Sequence, residues 1–146
     1  MATPDATDQE ILGHHLPYEF SMLQGTFVVL AKDEHDTIIT NALIESFCIH
    51  ARLLIDFFNN RQGRRANDFT GGTYTATHVG SLTDVKTKLN TQIAHLTGGR
   101  TTNSSQKIGP ADRGNLLTAL ESEAQNFAAH LAPEFQGMFT PPTPIN

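Results

Sequence analysis

The sequence predicts an all-α fold, a bundle of four main helices joined by two long loops. Apolar residues recur every three or four positions in four separate stretches, and no segment alternates strongly enough to support a sheet. Two polar interruptions, rich in Gly, Thr, Asn and Arg, separate the second stretch from the third and the third from the fourth. With 146 residues, 38% hydrophobic and 17% charged, the chain has the composition of one globular domain. Its organisation reads as a flexible arm over 1–15, the bundle over 16–132 and a Pro-rich tail over 133–146.

The first helix is expected over residues 16–32. Leu16, Phe20, Leu23, Phe27 and Leu30 form its stripe, and Pro17 suits a first turn, where its missing N–H has no partner to lose. The second begins after Asp36 or Thr37, either of which can cap free N–H groups. It carries Ile39, Leu43, Phe47, His50, Leu54 and Phe57 on one stripe, flanked by Ile49, Leu53 and Phe58. The short connection makes these two helices antiparallel neighbours. The third helix is expected from Ser81 as N-cap, with Asp84 at the third position, through Leu96 to the stop at Gly98-Gly99. The fourth spans about 112–131 on the stripe Leu117, Leu120, Ala124, Phe127 and Leu131, and ends before Pro133.

Several functions are made remote by what is absent. There is no Walker-type loop, dinucleotide fingerprint, nucleophile elbow or HExxH pair. One cysteine, Cys48, cannot build a disulfide or a thiolate cluster. No run approaches about 18 apolar residues, and no basic segment followed by an apolar core opens the chain. The expectation is therefore a cytoplasmic protein without membrane contact. A formal charge of −5 supplies no overall basic field, so any nucleic-acid contact needs a local patch.

Three groups of polar residues are candidates for chemistry. Glu45, Arg52 and Asp56 share a face of the second helix, where Arg52 can bond Asp56 in an ion network, while His50 reads as a core histidine with one bonded nitrogen. Lys88, Thr91 and His95, spaced by three and four, hold a cation beside an imidazole, an arrangement that serves phosphodiester chemistry by moving a proton and steadying phosphate charge. Arg61, Arg64 and Arg65 lie on a Gly-containing loop, with Arg100 and Lys107 in the other, where guanidiniums can reach phosphates without sequence preference.

The segment Asn90-Thr91-Gln92-Ile93-Ala94-His95 resembles the end of the motif of the HEPN superfamily of helical bundles, in which an Arg is followed four to six residues later by His. In many members a polar residue directly follows that Arg. Here Asn90 matches the polar residue and His95 the histidine, while Leu89 stands in place of the Arg and Lys88 is the nearest cation. Leu16-Pro17-Tyr18-Glu19, the stretch 41–58, Asp68-Phe69 and 89–97 are also similar to a group of uncharacterised bacterial proteins. The resemblance implies a bundle, dimers with facing motifs, a partner encoded nearby and, in active members, metal-independent RNA cleavage with no cofactor. It further implies His95 as general acid or base, Asn90 orienting the 2′-hydroxyl or phosphate, Lys88 with Arg100 as cations, and Arg52 as support.

Two other readings stay open. Seven histidines permit a metal site if His50, His95 and His130 converge from three helices. Alternatively, the apolar circumference of the second helix serves a homodimer with no catalysis at all.

Overall fold

A computed structural model of the chain describes residues 6–32, 34–80, 82–90, 102 and 107–145, and within that range it is all-α with no strand. The helices are α1 (Asp8–Glu10), α2 (Leu16–Leu30), α3 (Thr37–Phe58), α4 (Thr83–Lys88) and α5 (Pro110–Ala129).

Helical structure starts eight residues earlier than expected. Thr7 caps α1 through its side-chain oxygen, and Glu10 reaches back to the Thr7 N–H at 2.8 Å. A π turn over Ile11–His15 then joins α1 to α2. Pro17 has no N–H to give to the preceding turn, and the wide winding, in which the Leu16 N–H reaches back to the Ile11 carbonyl, carries the helix past it. Pro17 thus marks a change of winding within a helix. The segment expected to be an arm contributes Leu12, which is fully buried.

Asp36 caps α3 as expected, accepting the Ile39 N–H at 2.9 Å. The ring pairs Phe27–Phe47 and Phe20–Phe58 run in opposite order along α2 and α3, so the two helices form an antiparallel hairpin. The buried residues of α3 all lie from Phe47 onward, Leu54, Phe57 and Phe58 among them, whereas Ile38 and Ile39 near its start and Ile49 and Leu53 further along stand exposed. By length and composition α3 is also apolar enough to cross a membrane, which a search for uninterrupted apolar runs overlooks.

All five residues of the expected α5 stripe are buried. Pro110 occupies the first turn, and Asp112 accepts the Gly109 N–H at 3.0 Å. Two carboxylates on α5, Glu121 and Glu123, are buried as well. At the heart of the core, Phe127 meets Phe57, Phe58, Tyr74 and Phe139.

The Pro-rich tail after Pro133 returns over the bundle. Phe139 is buried against Phe20, the Ala132 N–H donates to the Phe69 carbonyl at 2.9 Å, and the Ile145 N–H donates to Glu121 at 3.1 Å. The linker between α3 and α4 has no strand, as expected, and contains a 3-10 turn over Ala66–Phe69. Of the expected third helix, Thr83–Lys88 is helical and Leu89-Asn90 continue it in π winding, while Ser81 and residues 91–100 lie outside the described residues.

Candidate functional site

Residues spaced by four, Ile11, His15 and Glu19, line one wall of a half-open groove of about 540 Å³. Ile49, Arg52, Leu53 and Asp56 on a single face of α3 form the other. Phe57, Cys48 and Leu89 extend the apolar surface, and the loop after α3 brings Arg61, Gln62 and Arg64 to one end. That loop turns sharply, with left-handed backbone at Asn60, Gln62 and Gly63.

Three of the arginines singled out from the sequence, Arg52, Arg61 and Arg64, therefore meet at one cavity. Their situations differ. Arg64 is ion-paired to Asp8 and to Asp68, and its guanidinium lies 4.9 Å from the centre of the Phe69 ring. Among the described residues neither the Arg52 nor the Arg61 guanidinium has an ion pair or hydrogen bond. The expected Arg52–Asp56 bond does not form: Asp56 is taken by Lys86 Nζ of α4 at 3.3 Å. A cation placed four residues before its carboxylate is the weaker order on a helix, so a lysine from another element displaces it.

The groove's other carboxylate, Glu19, is bonded to Nδ1 of His50, and the edge of Tyr18 packs on the same imidazole. His50 is thus a half-buried histidine with one bonded nitrogen. Burial pushes the Cys48 thiol up to about 12, so it stays protonated at neutral pH and offers no thiolate to the groove.

The other candidates lie elsewhere. Lys88 Nζ is bonded to Asp112 at 3.1 Å and ties α4 to α5, while the Oδ1 of Asn90 is buried with no hydrogen-bond partner among the described residues. Arg65 does not line the groove, and its N–H donates to Asp68. His95 and Arg100 lie outside the described residues. No group of three or more metal-ligating side chains occurs among the described residues, and His130 Nδ1 is hydrogen-bonded to the Asn126 carbonyl at 2.7 Å.

His15 and Glu19 were missed because Pro17 reads as a helix start, which hides the spacing of four that runs through Ile11, His15 and Glu19. No family model, curated protein or solved structure matches the chain.

Proposed function

We propose that this protein is an RNA-engaging helical bundle of the HEPN-like kind, with the α2–α3 groove as its phosphate-binding surface. The observation that carries the reading is the presence in one groove of Arg52 and Arg61, neither of which has an anionic partner among the described residues. Guanidiniums left open beside apolar surface suit a ligand that brings both phosphate and a flat ring. In an acidic chain of net charge −5, such a local patch is what nucleic-acid contact requires. His95 is the general acid or base of any cleavage step, and Asn90 orients the reacting group. Lys88, held by Asp112, has a supporting place.

The test uses labelled single-stranded and structured RNA in EDTA with wild type, Arg52→Ala, Arg61→Ala and His95→Ala. Wild type is expected to bind single strands with a salt slope of about −1.4 for two phosphate contacts, each arginine variant losing about 0.7 of it. Metal-independent cleavage is expected to vanish in His95→Ala with thermal unfolding unchanged. Failure of wild type to bind either RNA at low salt overturns the proposal.

A second reading, a homodimer without catalysis, is favoured by the exposed Ile38, Ile39, Ile49 and Leu53 of α3. A dimer in sedimentation that dissociates in Ile38→Asp and binds no RNA would establish it instead.

A further inference from the structure

We propose that the groove selects a nucleotide bearing a terminal phosphate monoester, either a free nucleoside monophosphate or the phosphorylated end of a strand; this rests on the phosphate-binding reading above. The first argument is charge. Arg64 is occupied by Asp8 and Asp68, the carboxylate of Asp56 by Lys86, and that of Glu19 by His50, which among the described residues leaves two groove guanidiniums, Arg52 and Arg61, to be answered by a ligand. An internal phosphodiester brings one negative charge, whereas a phosphate monoester near neutral pH brings about −1.5 to −2 and three acceptor oxygens. The monoester matches two forked donors approaching from different elements, Arg52 from α3 and Arg61 from the loop that follows it.

The second argument is size. About 540 Å³ lies within the range of roughly 300–1,000 Å³ typical of small-ligand sites, and a channel for an extended strand would instead track about 4–16 nucleotides. The groove therefore holds one nucleotide unit. Ile49, Leu53 and Phe57 supply an apolar wall for its ring face beside the guanidiniums. Ile49 and Leu53 are half exposed, which leaves that wall available to a ligand.

The experiment compares a short single-stranded RNA with hydroxyls at both ends, the same strand with a 5′-phosphate, and the same strand with a 3′-phosphate. AMP and adenosine serve as competitors. At least one phosphate-ended strand is expected to bind about tenfold or more tightly than the hydroxyl-ended one, and Arg52→Gln and Arg61→Gln are each expected to remove most of that preference. Thermal unfolding of both variants checks that the fold is kept. Competition by AMP as strong as that of the phosphorylated strand, with adenosine inert, identifies a free nucleotide as the ligand and supports the inference while weakening the RNA reading. Equal binding of hydroxyl-ended and phosphate-ended strands, both weakened by the arginine variants, overturns the inference and leaves the RNA reading standing. A preference for phosphate ends unaltered in both arginine variants overturns the inference, and absence of binding by every probe overturns both.

Discussion

On the α5 side of the molecule, Glu123 is fully buried and both of its carboxylate oxygens are hydrogen-bonded. It accepts the His78 N–H at 2.9 Å, the Val79 N–H at 3.3 Å and Asn126 Nδ2 at 2.8 Å. On the α2–α3 side, Arg52 and Arg61 border a groove and have no counterpart among the described residues. Both regions set charge beside apolar surface, but only the first completes it. A buried charge is tolerated when it is well hydrogen-bonded, so Glu123 serves as a clamp that holds the 66–80 loop against α5. An unanswered guanidinium at a groove has no such structural task. The contrast separates residues that hold the fold from residues held ready for a ligand, and it can be broken by substitutions on either side.

The largest effect belongs to the core that the clamp closes. Phe127 is fully buried and packs against four aromatic rings, so Phe127→Ala is expected to cost about 3–5 kcal/mol in urea unfolding. Against a total of about 5–15 kcal/mol for an ordinary domain, that leaves little margin. A cost below about 1 kcal/mol would mean that the aromatic cluster is not the centre of the fold.

Next comes the clamp itself. Glu123→Ala strips the acceptor from two backbone N–H groups and from Asn126, with an expected cost of about 2–3 kcal/mol. Its pH dependence has a definite sign. Burial alone raises the Glu123 carboxyl, but the hydrogen bonds from Asn126 and from the His78 and Val79 N–H groups outweigh it and leave it below the ordinary 4.5. The unfolded chain then takes up this proton at higher pH than the folded one. The contribution is present above about pH 4.5 and is lost as the pH falls through the lower folded value. Urea unfolding of wild type should weaken on acidification from about pH 5 downward, and Glu123→Ala should show a shallower decline over the same window. Parallel declines would remove Glu123 from the acid response.

How much of this was legible in the sequence follows from the range of the interactions involved. The α5 stripe and the Asp36 cap depend on neighbours within one or two turns, and both stand where periodicity and capping chemistry put them. Glu121 and Glu123 are buried, although carboxylates in a sequence carry no local sign of burial. Their partners come from Gln24, 97 residues away, and from His78, 45 residues away, which no local pattern reveals. The groove failed to emerge for a related reason. Pro17 reads as a helix start and conceals the π turn that carries His15 and Glu19 into one wall, while the left-handed turn at Asn60, Gln62 and Gly63 puts Arg61 on the same groove as Arg52. The arginines were recognisable as a set. Their division into paired and unpaired members was not, since Asp8, which holds Arg64, lies 56 residues away in the segment read as an arm.

That division supplies the smallest and sharpest comparison, within a single groove. Arg61→Ala and Arg52→Ala remove guanidiniums that hold no partner among the described residues, so unfolding in urea should move by no more than about 0.5 kcal/mol. Arg64→Ala loses a stacked cation over Phe69 and two ion pairs. Because that side chain is 40% exposed, the ion pairs add little in water, and a total near 1 kcal/mol is expected. Binding of phosphate-ended RNA should rank the other way, with Arg61→Ala and Arg52→Ala weakening it more than Arg64→Ala. If stability and binding instead fall together across all three, the arginines act as one structural cluster, and the distinction between a completed charge and an open one does not describe this groove.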